Sequence, residues 1–476
     1  MPYHAITPFE GLSAQCDKIE YSLGCIGYKS IPLLSAISRR PNSQSSGVEV
    51  RVYLEPPEVT DCRPIDTIFP DTTDCFLDGW VLPKIEGTIF WFEVEGIITA
   101  EEDGEYLFSL VVNGTAKLFV DGREIVDNTE NQRPGDSIFG MGTVEEIGMM
   151  PVKRDQKYTV LVKYGSSPTS KLSASNSWYG SSGLRIGCTH KTTPEKLVEE
   201  AVALAKSVDQ VILCIELSYE WESEGYDRTD MALPPGTDEL VAAVCSVNKN
   251  VVVVNQSGTL VAMPWVDKAP AILQAWFSSN ETGHAIADVV FGKVNPSSKM
   301  PLSWPKRLED NPAFVNYRSE NGKVLYRENV YVGYHFYKKT KRDVLFPFGY
   351  GLSYSTFKIS DLDIIDDTKD TITASITVCN SGSVAGAEVV QLYVTQQLPS
   401  IQRPPQELKG FKKVFLEPGQ SLEVKIPISK KYASSFWDES VESFVMEKYG
   451  SPKVMLIPEL LYKFSISAAA YAGVLL

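Results

Sequence analysis

Val211-Ile212-Leu213-Cys214-Ile215 is an unbroken apolar run, and it leads into Glu216-Leu217-Ser218-Tyr219-Glu220-Trp221-Glu222-Ser223-Glu224-Gly225-Tyr226-Asp227-Arg228-Thr229-Asp230. An apolar run without alternation describes a strand covered on both faces, as parallel sheets require. The flanking sequence repeats the theme. Upstream, Thr193-Pro194-Glu195 begins a 3.6-residue period, with Thr193 as N-cap, Pro194 at the first helical position, and Leu197, Val198, Ala201, Val202, Leu204 and Ala205 on one face. Downstream, the patterns predict a helix over 237–247, a strand over 250–255, a helical patch, a strand over 271–276 and a helix over 281–291. Strands and helices alternating at this spacing specify a doubly wound α/β layer.

Outside that layer the period changes to two. Val48-Glu49-Val50-Arg51-Val52-Tyr53-Leu54, Tyr106-Leu107-Phe108-Ser109-Leu110-Val111-Val112 and Tyr158-Thr159-Val160-Leu161-Val162-Lys163-Tyr164 all alternate. Lys117-Leu118-Phe119-Val120 runs into Asp121-Gly122, a hairpin turn pair. Residues 48–188 therefore predict an all-β sandwich. After a Pro-rich stretch over 296–350, alternation returns at 371–378, 388–394 and 422–428, predicting a second, immunoglobulin-like sandwich. The expected architecture is multidomain: an α/β sandwich interrupted by one β-sandwich and followed by another.

Composition narrows the function. The chain has 476 residues, 43% of them hydrophobic, and a formal net charge of −15. With no offsetting Lys/Arg stripe, neither nucleic acid nor a membrane surface is an expected partner. No apolar run approaches the roughly 20 residues that span a bilayer. Eight scattered cysteines give no zinc spacing, and only Cys62 and Cys75 lie close enough to suggest a local bridge, two buried thiols being at least as good a reading. Neither G-x-G-x-x-G nor G-x-S-x-G occurs, so dinucleotide binding and a nucleophile elbow lack support, and no cofactor or metal is expected. Sequons at Asn113, Asn255 and Asn280 do not settle secretion. Localisation stays open, with the secreted route favoured over the cytoplasm.

The segment after Ile215 falls at the carboxyl end of a parallel strand, where open α/β sheets place their ligands. It sets Glu220, Glu222, Glu224, Asp227 and Asp230 beside Trp221 and Tyr226. Carboxyls against aromatic surface suit sugar chemistry, because an apolar neighbour raises a carboxyl pKa towards neutrality and rings stack on pyranose faces. Gly225 would let the backbone turn so that Glu224 projects. From spacing alone a solvated acidic loop is the commoner reading, and Glu224 is one candidate. His284 and His335 fit structural hydrogen-bonding roles. Trp178-Tyr179-Gly180 could form a sugar-stacking edge, though core or loop packing is the commoner reading.

Several motifs, in order, resemble one family. Residues 1–12, Glu220-Trp221-Glu222-Ser223-Glu224-Gly225-Tyr226-Asp227-Arg228, residues 283–292, Asn295-Pro296-Ser297-Ser298-Lys299-Met300-Pro301, and Phe346-Pro347-Phe348-Gly349-Tyr350-Gly351-Leu352-Ser353-Tyr354 are similar to the C-terminal portion of glycoside hydrolase family 3 β-glucosidases of the fungal and yeast type. The resemblance implies a split α/β-sandwich domain at 1–47 and 189–345. It also implies an inserted protective-antigen-like sandwich at 48–188 and a fibronectin type III-like domain at 346–476. The activity it implies is hydrolysis of terminal non-reducing β-D-glucosyl residues with retention, in the breakdown of polysaccharides such as cellulose. The acid/base glutamate falls on Glu224, with Glu222 the runner-up, and Trp221 and Tyr226 are candidate substrate-binding residues. The family's nucleophile belongs to an N-terminal (β/α)8 barrel of roughly 250 residues. Its Ser-Asp-Trp motif occurs nowhere here, and the match opens at the first residues of the chain. The barrel is therefore expected outside this chain, and the chain alone is expected to be inactive. Its partners would be a β-glucoside or oligosaccharide, and either the barrel or a second copy docked on the exposed α/β face. The alternative is a non-catalytic carbohydrate-binding protein whose inserted sandwich holds a sugar.

Overall fold

The computed structural model describes residues 4–76, 85, 88–138, 140–172, 182–225, 227–365 and 368–447, and the backbone of 452–456. The chain forms two compact units, Tyr28–Leu197 and the remainder, Met1–Gly27 with Val198–Leu476. It opens with α1 (Pro8–Ser13), set by a capping box. Glu10 N–H donates to the Thr7 hydroxyl at 3.2 Å, and the Glu10 carboxylate accepts from Thr7 N–H at 2.7 Å.

The Tyr28–Leu197 unit is all β. Its strands are β1 (Ser38–Arg39), β2 (Glu49–Tyr53), β3 (Asp66–Ile68), β4 (Asp74–Phe76), β5 (Trp91–Thr99), β6 (Gly104–Asn113), β7 (Thr115–Val120), β8 (Arg123–Asn128), β9 (Glu146–Val152), β10 (Lys157–Gly165) and β11 (Gly183–His190). One sheet runs β3-β2-β5-β10-β7-β8 with β1 also on β5, and the other runs β4-β11-β6-β9. Alternation does the packing: Phe108, Leu110 and Val112 of one sheet meet Leu118, Val120, Val160 and Val162 of the other, all buried. The β7–β8 hairpin turns at Asp121 (φ 47°) and Gly122 (φ 80°), the left-handed pair such a turn requires. Asp121 also accepts Thr159 N–H at 2.8 Å, so its carboxylate is spent on the fold. All eight cysteines are free, Cys62 and Cys75 included.

In the other unit the α/β layer follows the sequence pattern. α2 (Pro194–Ser207) starts at Thr193, whose hydroxyl accepts Lys196 N–H. Then come β12 (Val211–Glu216), α3 (Thr237–Val247), β13 (Val251–Gln256), β14 (Ala271–Gln274) and α4 (Thr282–Val290). The strands form a parallel sheet ordered β12-β13-β14 among the described residues. Leu240, Val241, Val244 and Cys245 of α3 pack on one face with Val251, Val253 and Ile215. Val254 joins Leu12, Ile286, Ala287 and Val290 on the other. The helical patch expected before β14 is a set of turns instead: Val266 N–H donates to Met263 O and Lys268 N–H to Trp265 O. Trp265 is buried there, with its indole N–H on Asp238 at 2.8 Å.

Two glycines let α1 and α4 touch. A Cβ on Gly283 would lie 2.0 Å from Thr7 O, and one on Gly11 would lie 2.1 Å from Gly283 O. Beyond them α5 (Tyr334–Thr340) leads to a sandwich of β15 (Phe357–Ile365), β16 (Thr371–Asn380), β17 (Gly386–Gln396), β18 (Glu407–Leu416) and β19 (Ser421–Ser429), with α6 (Lys430–Ser434), β20 (Ser435–Asp438), β21 (Ser443–Met446) and β22 (Pro452–Leu456). Its two main sheets are β15-β16-β19 and β18-β17-β22. Ile376, Val378, Val390, Leu392 and Leu416 fill the space between them.

Candidate functional site

β12 and β13 end side by side, and the loops leaving them build the site. Ser218 O accepts the N–H groups of Trp221 (2.9 Å) and Glu222 (3.0 Å), winding the chain into a tight turn directly after β12. Trp221 fixes that turn. Its ring is half-buried against the α/β core, and its indole N–H donates to Gly27 O at 2.6 Å. The Glu222 carboxylate accepts Gly258 N–H at 3.1 Å, tying the loop after β12 to the loop after β13.

The remaining acidic groups are engaged as well, with one exception. Asp230 accepts Ala232 N–H at 2.8 Å. Asp227 accepts the Tyr317 hydroxyl, and that hydrogen bond raises the Tyr317 pKa. Glu220 is engaged too. Glu216 is raised by burial, and the Gln256 amide donates to it at 3.4 Å. Glu224 is exposed and makes no hydrogen bond or ion pair with any described residue. Glu224 sits in a turn whose next residue, Gly225, has φ 83°, a conformation that favours glycine, and open space where a Cβ would stand. Tyr226 lies outside the described residues, as do Trp178-Tyr179-Gly180.

Arg228 is the cation of this loop. It donates to the Thr259 hydroxyl (2.9 Å), Leu260 O (3.3 Å) and Ala232 O (2.6 Å). Burial lowers its pKa, and the charges of Glu222 and Asp230 act against that shift. Other site features escape a linear reading. Trp276, just after β14, sits at φ 59°, a conformation rare outside glycine, and its ring lies 6.3 Å from the buried Trp304. The exposed Phe277 ring reaches Gly258, the residue that Glu222 holds. Tyr219 and Tyr317 are exposed too, so aromatic surface is present around the acidic loop.

Near the start of α4, Glu281 is bracketed by His4 and His284, each 2.7 Å away, and these bonds hold its pKa below the usual carboxylate range. His335 Nδ1–H donates to Val330 O at 3.1 Å, and burial lowers its pKa. Among the described residues no group of three or more His, Cys, Asp or Glu side chains is arranged to hold a metal ion. No described helix is long and apolar enough to cross a membrane.

This fold has known relatives. The sequence model of the Glycosyl hydrolase family 3 C-terminal domain matches residues 1–354. The chain belongs to glycosyl hydrolase family 3. A Fibronectin type III-like domain model matches residues 388–456 of this family 3 chain. A protein named "Probable beta-glucosidase I" from Neosartorya fischeri is 46% identical over 455 residues, covering 94% of this chain and 54% of that protein. The Aspergillus oryzae protein of the same name is 46% identical over 456 residues, with the same coverage. The crystal structure of a β-glucosidase from Kluyveromyces marxianus in complex with glucose superposes with a TM-score of 0.84 at 37% identity, covering 96% of this chain and 56% of that one. The family 3 chain described here thus spans about half the length of the curated relatives it matches.

Proposed function

We propose that this chain carries the proton-handling half of a retaining β-glucosidase, with Glu224 as the acid/base residue. The reading rests on one observation: within the acidic loop at the end of β12, Glu224 alone is exposed and unengaged, while its neighbours hold the loop in shape. A retaining glycosidase needs two carboxyl groups about 5–5.5 Å apart, one as nucleophile and one that protonates the leaving oxygen and then activates water. Glu224 serves the second role. The nucleophilic carboxylate comes from a barrel outside this chain, and the length of the relatives agrees with that division. The substrate is a terminal β-D-glucosyl residue. Trp221 shapes the loop, and the exposed rings of Phe277, Tyr219 and Tyr317 offer apolar surface to the sugar or its aglycone. In the same reading, residues 48–188 are a protective-antigen-like insertion into an α/β domain made of 1–47 and 189–345, and 346–476 form the fibronectin type III-like domain. The separate compactness of Tyr28–Leu197 supports that partition.

The test joins this chain to the remaining N-terminal part of the Kluyveromyces relative. The hybrid is expected to hydrolyse an aryl β-glucoside, and this chain alone is not. Glu224→Ala should lower turnover of a poor leaving group by about 10²–10⁴-fold. It should spare a highly activated aryl glucoside in the glycosylation step, and added azide should restore turnover through a glucosyl azide. A Glu224→Ala hybrid as active as its parent on both substrates refutes the assignment. The same pattern from Glu222→Ala instead would move the role to Glu222.

A further inference from the structure

The segment leading into the fibronectin-like sandwich contains Lys338-Lys339-Thr340-Lys341-Arg342, a basic run in a chain of net charge −15. Beside it, between α5 and β17, lies a cavity of about 280 Å³. Its aromatic lining is organised: Tyr334 and Phe348 stack with centroids 4.7 Å apart and planes 20° from parallel, and Tyr393 meets Tyr334 edge-on at 6.0 Å. Two of the lining hydroxyls are committed. Tyr334 accepts Leu408 N–H at 2.8 Å, and Tyr393 donates to Gln391 at 2.8 Å.

The remaining polar groups of the lining divide differently. Arg342 is used by Asp310 at 3.4 Å and by the Phe336 ring at 5.5 Å, and Asp343 faces Lys306 at 3.8 Å. The ammonium groups of Lys338 and Lys341 and the hydroxyl of Tyr337 have no hydrogen-bond or ion-pair partner among the described residues. Lys338 is half-buried, and burial pulls its pKa below the usual lysine value. A cation partly withdrawn from water with no carboxylate beside it is costly unless an anion joins it.

We propose that this cavity binds a small aromatic carboxylate, its acid group between Lys338 and Lys341 and its ring against Tyr334 and Phe348. The size supports a one-ring ligand, because about 280 Å³ lies just below the roughly 300–1,000 Å³ typical of pockets for larger ligands. The lining chemistry favours a carboxylate on a planar body over a bare inorganic anion. Two ammoniums supply point-charge donors and a phenol a neutral O–H, and no free guanidinium fork is present for a phosphate.

Calorimetric titration of the intact chain with 4-hydroxybenzoate tests the idea, with 4-hydroxybenzamide and inorganic phosphate as comparison ligands. The carboxylate should bind saturably at one site, at least tenfold more tightly than the neutral amide. Phosphate should fail to displace it at equal concentration. Lys338→Gln should weaken binding about tenfold. Lys341→Asn should do the same, and its side chain is exposed while Asn tolerates the φ of 54° found there, so it reads the site even where the Lys338 variant folds poorly. Equal affinity for acid and amide, displacement by phosphate at equal concentration, unchanged binding in a folded Lys341→Asn variant, or no saturation by about 10 mM would each overturn the proposal.

Discussion

Glu222 and Glu224 are two residues apart and chemically identical, yet only Glu222 is tied to the loop after β13, and amide exchange at Gly258 separates them. Glu222 accepts the Gly258 N–H at 3.1 Å. A hydrogen bond to a charged acceptor contributes about 1.5–3 kcal/mol. Glu222 is half-buried, so the lower end applies, and about 1.4 kcal/mol corresponds to a factor of ten in an opening equilibrium. Glu222→Ala should therefore speed hydrogen exchange at Gly258 by about tenfold. The amides of Trp221 and Glu222, held by Ser218 O within the same turn, should loosen less. Glu224→Ala removes an exposed side chain with no described partner, so exchange at Gly258 should stay as it was and global stability should change by less than about 0.5 kcal/mol. Exchange followed by mass spectrometry on a peptide covering residue 258, at fixed pH and temperature, reads both variants. Unchanged exchange in Glu222→Ala, or acceleration in Glu224→Ala equal to it, would refute the division of labour on which the acid/base assignment rests.

Three further outcomes follow from other parts of the fold. Gly283→Ala would push a methyl group to within 2.0 Å of Thr7 O, so α1 would have to retreat by about 1.4 Å to restore ordinary contact. The strain of about 1–3 kcal/mol exceeds the gain of about 1 kcal/mol in helix propensity, and the denaturant midpoint should fall, while Gly27→Ala, with open space for its Cβ, should not move it. Thr7→Ala deletes the capping-box acceptor at α1 and should cost about 1 kcal/mol, measured in the same unfolding assay. Burial alone would push Glu407 up, but Arg403 at 2.7 Å and Lys409 at 3.1 Å outweigh it and leave its pKa depressed. Its stabilisation is thus present above the unfolded carboxylate value of about 4.3 and lost as pH falls through the folded one, so melting curves should converge between wild type and Glu407→Gln in acid and diverge near neutrality.

What could be read from the sequence was whatever depends on neighbours along the chain. The apolar run at 211–215, the Thr193 cap and the Asp121-Gly122 turn are local, and each lies where its pattern predicts. The helical patch before β14 failed because a buried Trp265, bonded to Asp238 on α3, holds that stretch in turns that local propensity does not specify. At the site, the acidic loop was legible as a cluster, but its internal division was not. Glu222 is held by Gly258, 36 residues away, and Asp227 by Tyr317 in a different loop. The paired glycines of α1 and α4 are likewise a long-range requirement, invisible until the two helices cross.

That division bears on how a loop rich in carboxylates can present one of them for chemistry. Like charges crowded on a flexible segment would repel and disperse, leaving no defined geometry. Here Asp230 and Glu222 are spent on backbone N–H groups, Asp227 on a phenol, and Arg228 contributes a positive charge from within the loop. The Trp221 indole fastens the turn to Gly27, and Gly225, one residue after Glu224, adopts the left-handed conformation. In the proposed role as proton donor, Glu224 needs no partner of its own within the loop, because its position is set by its neighbours' bonds. It can then be completed by a second carboxylate approaching from outside, as the retaining scheme demands. The loop's acidity is thus mostly scaffolding, and its catalytic content in this reading is a single group.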